Sequence, residues 1–218
     1  MKNSIAINRL IHTVCATAFA VVFATTMTGA QNRDNDRERG GPPPVPAGIE
    51  VPEGNRLFFV GHAFGTQNYM CLPSAMSPTG VAWTPIGPQA NLFDRHDHQI
   101  TTHFLSLNPD EPGVSRATWQ HSDDTSAVWA KAIVTSGDPN YVEAGAIPWL
   151  RLEVVGRARG PNGGRTLTDT TWIQRLNTTG GSAPATGCVA SSNIGARVFV
   201  PYTADYFFYK KAGWPWQD

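Results

Sequence analysis

In the run "LRLEV", Leu150 to Val154, the two leucines and the valine project to one side of an extended chain, while Arg151 and Glu153 project to the other. Such period-two alternation marks a strand with one face on a core and the other toward water. Outward from it, between Ile49 and Lys211, no long stretch places apolar residues at helical spacing. Short runs of β-branched and aromatic residues recur instead between turn signals. The candidate strands are 56–61, 66–72, 81–84, 89–93, 100–105, 117–120, 127–134, 149–155, 172–177, 197–202 and 205–209. Residues 127–134 could also form a short helix capped by Asp124, Thr125 or Ser126, but Val128, Trp129, Ile133 and Val134 favour a strand. The preceding "HSDDTS", His121 to Ser126, supplies a hairpin turn. About ten short strands in one compact chain predict an all-β fold, either an antiparallel β-sandwich or a closed β-barrel, and periodicity does not separate the two. No internal repeat is visible, which disfavours a propeller.

The ends of the chain read differently. Lys2 and Arg9 precede an apolar stretch from Val14 to about Met27, and Thr28-Gly29-Ala30 offers small residues to a peptidase. This is the pattern of a secretory signal peptide over 1–30, cleaved near Ala30, and it predicts a secreted, periplasmic or cell-envelope protein. The apolar run is too short for a transmembrane span, which needs roughly 20 residues. Residues 31–48 mix charges with glycines and prolines and read as a disordered lead-in. A single all-β domain is expected over 49–211, followed by a tail, 212–218, whose Trp214 and Trp216 could cover an edge or meet a partner.

The chain carries 17 basic and 17 acidic residues, so it has no electrostatic footprint for nucleic acid or an anionic membrane. Removal of the leader leaves Cys71 and Cys188. In an exported chain this pair reads as a disulfide closing a loop of about 118 residues, with two buried thiols as the alternative. Neither cysteine has a C-x-x-C neighbour for a structural metal. The segment "WIQRLNTTGGSAPATGC", Trp172 to Cys188, then reads as a strand, a Gly-Gly turn and a small-residue loop that delivers Cys188 to Cys71. It opens no helix and has no lysine, so it is not a phosphate loop. Asn177-Thr178-Thr179 within it fits the N-glycosylation triplet.

Four blocks in order, "GTQNYMC" (65–71), "AIPWLRLEVVG" (146–156), "WIQRLNTTGG" (172–181) and "VPYTADYFFY" (200–209), resemble the family known as domain of unknown function 3455. The resemblance covers about residues 49–209 and implies a secreted or envelope protein without implying a reaction. Some fungal relatives carry a malate dehydrogenase label. Here no strand, G-x-G-x-x-G and helix unit supports it, and "GPNGGR", Gly160 to Arg165, opens no helix. No cofactor is expected.

Several residues carry candidate chemistry. His96 and His98 in "DRHDHQITTH" would project from one side of an extended segment, with Asp94 as an oxygen donor, which suits zinc, copper or iron. A polar surface turn is the simpler reading of the same residues. The resemblance points to His103, whose position before Phe104 recurs, as a candidate acid or base; the alternative is a hydrogen-bonded structural histidine. Asp205, set among aromatic residues, must be paired if buried, and Arg175 is the natural partner, either as a brace or as part of a polar pocket with Tyr202. Of the seven tryptophans, Trp119 is the one assigned to a candidate ligand site, since a tryptophan face stacks on sugars as readily as it fills a core. No G-x-S-x-G elbow is present, and no acid pair suits glycosidase geometry. Three functional expectations follow. The first is a non-enzymatic exported module binding a carbohydrate or small polar ligand through Trp119, Arg175, Tyr202 and Asp205. The second is a secreted hydrolase using metal-assisted or acid-base chemistry around His103 and Asp205. The third is a structural or stress-related exported protein with no small ligand.

Overall fold

A computed structural model describes residues 41–213. The expected leader, the first part of the expected lead-in, Trp214 and Trp216 lie outside the described residues. Eight strands follow in chain order: β1 (Asn55–Pro73), β2 (Val81–Phe93), β3 (Gln99–Leu107), β4 (Ser115–His121), β5 (Ala127–Ser136), β6 (Trp149–Ala158), β7 (Thr170–Gly180) and β8 (Arg197–Lys211). Each pairs antiparallel with its sequence neighbour, and β8 returns to pair with β1, from Asn55↔Lys211 to Met70↔Arg197. The fold is therefore a closed up-and-down barrel with no sheet edge, and the sandwich is excluded.

The strand count is a correction with a physical cause. Segments 56–61 and 66–72 are one strand, as are 81–84 with 89–93, and 197–202 with 205–209. In β1 the apparent break is Gly61 and Gly65, which mark close approach and not a turn. A Cβ on Gly65 would lie 2.5 Å from the Ala90 Cα, and one on Gly61 would lie 2.9 Å from the Leu92 side chain. In β2, Pro85, Gly87 and Pro88 sit at or beside a register shift, opposite Tyr69, Asn68 and Gln67, where a bulge tolerates residues that a regular ladder would reject. Residues 127–134 belong to β5, so the helical alternative falls.

Two apolar clusters follow from the alternation in the strands. The barrel interior holds Ala63, Leu92, Trp119, Val128, Leu152, Val154, Ile173, Tyr206 and Phe208. "LRLEV" contributes Leu152 and Val154 to it, with Leu150 packed at the margin. At the end of the barrel where β4 turns into β5, Leu167 from the β6–β7 loop enters the interior as a plug. Asp124 holds that loop by accepting Thr166 N–H at 2.9 Å and the Ser126 hydroxyl at 2.7 Å, while Ser126 accepts Leu167 N–H.

The second cluster lies on the outer wall of β6, β7, β8 and β1. Ile49, Trp149, Leu176, Phe207 and Tyr209 form it, with Val45, Val51, Leu57 and Val60 against them. The segment leading into β1 thus lies along the barrel, tied by Gln174 Nε2 to the Ile49 carbonyl at 2.8 Å and by Arg151 Nη1 to the Glu50 carbonyl at 2.6 Å. The proline-rich lead-in joins the fold before residue 49, since Pro46 is buried and Val45 packs on this wall. This cover explains why "DYFFY" is buried on both faces: Tyr206 and Phe208 point inward, Phe207 and Tyr209 outward.

Cys71 and Cys188 form the expected disulfide, with Cα atoms 5.5 Å apart. Val81 and Trp83 pack on it, and Trp83 Nε1 donates to the Thr186 carbonyl at 3.0 Å, so the β7–β8 loop is fastened to β1 and β2.

Candidate functional site

Strand pairing divides the polar candidates between the two sides of the barrel wall. Arg175 is the register partner of Tyr206 and of Leu150, so its side chain shares the inner face with them. Asp205 is the partner of Leu176 and His62, on the outer face. The proposed Arg175–Asp205 pair is therefore not made. The two residues are one position out of step, and in a strand one position is the other side of the sheet.

Inside the barrel, His103 stacks on Trp119 with ring centres 4.1 Å apart and planes 9° from parallel. Tyr206 meets both rings edge-on, at 5.1 Å and 5.5 Å. The Tyr202 and Tyr206 hydroxyls are 3.3 Å apart. Arg175 completes the group: its Nε and Nη2 donate to the Pro148 carbonyl at 3.2 Å and 2.8 Å, and the Tyr206 phenol faces the guanidinium. Among the described residues, Arg175 has no carboxylate partner, and the buried Trp119 Nε1 donor has no acceptor.

The electrostatics of this group follow from burial. His103 Nδ1 donates to the Thr118 carbonyl at 2.8 Å, which fixes the tautomer and leaves Nε2 as an acceptor. Burial is the main reason its pKa falls to about 3; the Thr118 bond opposes the fall and the Arg175 charge adds to it. Burial raises the Tyr206 pKa, partly offset by Arg175, and raises that of Tyr202 well above the ordinary phenol value. The interior is thus a set of neutral rings around one cation. Burial of the inward face is less complete toward the Arg175 end. Leu105, two residues along the inward face from His103, is 45% exposed, and Leu150 and Ala117 are half-buried, whereas Leu152 and Ile173 one step deeper are buried.

On the outer wall, Asp205 is 3% exposed. One carboxylate oxygen accepts His62 Nδ1–H at 2.6 Å and the other accepts the Asn177 side-chain amide at 2.8 Å. Asn177 reaches it from a β7 register shift with φ of 50°, a left-handed conformation that asparagine tolerates better than most residues. A cleft of about 450 Å³ opens beside this pair, lined by His62, Phe64, Phe93, Asp94, Arg95 and Asp97, with Thr203 and Asp205 at its back.

His96 and His98 lie in the β2–β3 turn. Their backbone N–H groups donate to Asp94 Oδ1 at 2.7 Å and 3.0 Å, and both rings are exposed. Those two bonds, His98's first, lower the Asp94 pKa. No three His, Cys, Asp or Glu side chains among the described residues are grouped for a metal. The predicted residues therefore fall in three places: His103, Trp119, Arg175 and Tyr202 converge inside, Asp205 stands outside, and His96 and His98 form a surface turn. Sequence reasoning missed His62, Tyr206 and the side chain of Asn177. His62 was legible only as an isolated histidine, because its meaning depends on β1 pairing with β8 across most of the chain.

The fold and site define a class: a closed eight-stranded antiparallel barrel with a cation and aromatic rings at one end of its interior. The chain belongs to the family described as "Protein of unknown function (DUF3455)", whose model matches residues 52–210, nearly the whole barrel. No curated protein and no solved structure matches it. No helix among the described residues is long and apolar enough to cross a membrane.

Proposed function

We propose that the protein is an exported binding barrel that takes a small organic anion at the Arg175 end of its interior. One observation carries the reading: Arg175 faces inward among Tyr202, Tyr206, His103 and Trp119 and, among the described residues, has no carboxylate partner. The guanidinium N–H groups not taken by Pro148 can donate charge-assisted hydrogen bonds to a carboxylate, and in a low-dielectric surround that pairing strengthens. Eight-stranded barrels are wide enough to hold one small ligand, and barrel mouths are favoured ligand sites. The inward-facing Leu105, Ala117 and Leu150 give the rest of the ligand an apolar wall, so the favoured class is a carboxylate with a short apolar body. Export is supported by the leader-like first 30 residues and is compatible with the disulfide.

The geometry favours binding over hydrolysis at His103. A proton carrier works best with a pKa near the operating pH, and His103 sits near 3 with Nδ1 committed to the backbone. The test is a titration of the purified protein with straight-chain carboxylates from acetate to octanoate, followed by tryptophan fluorescence and calorimetry. Saturable binding is expected for at least one chain length, weakened at least about tenfold in Arg175→Gln, as loss of a charge-assisted pair implies. No saturable binding by any member, or binding unchanged in Arg175→Gln, overturns the reading.

A further inference from the structure

The cleft on the outer wall is separate from the interior, and its chemistry is different. We propose that it is a second binding site, for a neutral saccharide or similar polyol, with the His62–Asp205 pair as its recognition device.

The lining is mixed in charge. Three carboxylates line the cleft, but two have partners: Asp205 is held by His62 and Asn177, and Asp94 Oδ1 takes two backbone N–H groups of its own turn. Arg95 stands beside them, its Nε on the neighbouring His96 ring at 3.1 Å. The cleft therefore presents both signs at short range, which suits neither a simple cation nor a simple anion. Hydroxyl groups, which donate and accept at once, match such a lining: carboxylate oxygens accept from them, the guanidinium donates to them, and the second imidazole nitrogen accepts.

The cleft also has an aromatic wall. Phe64 is 58% exposed, an unusual position for a phenylalanine on a strand, and meets Phe93 edge-on at 6.0 Å. A large aromatic face beside convergent polar groups offers a sugar's C–H face a dry platform. The volume of about 450 Å³ lies within the ~300–1,000 Å³ range of small-molecule sites.

His62 joins the two. With Nδ1 donating to Asp205, Nε2 is the remaining polar atom of a ring that is 30% exposed at the cleft. The buried carboxylate fixes the plane of the ring, and Asn177 fixes the carboxylate, so the imidazole is oriented before a ligand arrives. Pre-organisation of this kind reduces the ordering cost of binding.

The test uses the purified protein labelled with ¹⁵N and titrated with glucose, galactose, mannose, N-acetylglucosamine, maltose and cellobiose, with choline and inorganic phosphate as ionic probes. Saturable shifts are expected for at least one sugar, centred on His62, Phe64, Asn177 and Thr203. Phe64→Ala removes an exposed ring and leaves the core intact; it should weaken binding about tenfold, as expected for loss of an aromatic platform. His62→Gln should weaken it as well, while Arg175→Gln should leave it unchanged, which separates this site from the interior one. No saturable response to any sugar, preferential binding of choline or phosphate, or sugar binding indifferent to Phe64→Ala and His62→Gln each overturns the proposal.

Discussion

His103 shows how one residue couples the interior to the surrounding pH. Its imidazole is buried between Trp119 and Tyr206 and takes a proton only near pH 3, whereas in the unfolded chain it does so near its ordinary value. Between those values the unfolded state binds more protons than the folded one, so stability rises with pH and falls on acidification, by up to about 1.4 kcal/mol per pH unit across the window. We predict that urea midpoints measured from pH 7 to pH 4 fall steadily, and that His103→Phe flattens the slope; an unchanged slope would show that His103 is protonated in the folded protein. At this scale the sequence was a fair guide to which residues meet inside. Trp119, His103 and Arg175, named separately as candidates, share the inner face of their strands. The Arg175–Asp205 pairing failed because register between β7 and β8 is set by a bulge near Asn177, which no local pattern announces.

Among the elements, the segment before β1 does the work of a cover. It buries the outward faces of β7 and β8, so Ile49, fully buried, is as much a core residue as any inside the barrel. Ile49→Ala should cost roughly 2–5 kcal/mol, the range for truncating a buried aliphatic side chain. Chemical denaturation would measure it, and a loss below about 1 kcal/mol would mean that the segment is held by its polar ties alone. Local pattern located every strand but divided three of them, at Gly61 and Gly65, at the prolines of β2 and at Thr203-Ala204 in β8. Glycine and proline usually punctuate a chain. Here they relieve crowding and accommodate bulges inside long, strongly paired strands, which is a property of the closed sheet and invisible to the segment itself.

For the molecule as a whole, the Cys71–Cys188 bond spans 117 residues and fastens the β7–β8 loop to the start of the β1–β2 hairpin. The chain-entropy model assigns such a closure about 4–5 kcal/mol. The pair Cys71→Ser and Cys188→Ser should therefore lower Tm by roughly 10–15 °C, read by calorimetry against the oxidised parent; an unchanged Tm would place the stabilisation elsewhere. Fold class and disulfide were both legible from alternation and cysteine count. Closure was not, because sandwich and barrel share the same strands and differ only in whether the last meets the first.

That meeting has a temporal consequence. The β1–β8 seam joins Asn55–Met70 to Arg197–Lys211, so the ring of hydrogen bonds cannot be completed until the eighth strand is available to the first. The first strand must wait, unpaired along one side, for the last. Contacts this remote in sequence are slow to form because loop closure precedes their reward. A chain arriving N-terminus first would spend its synthesis as an open sheet and become a barrel in a single late step.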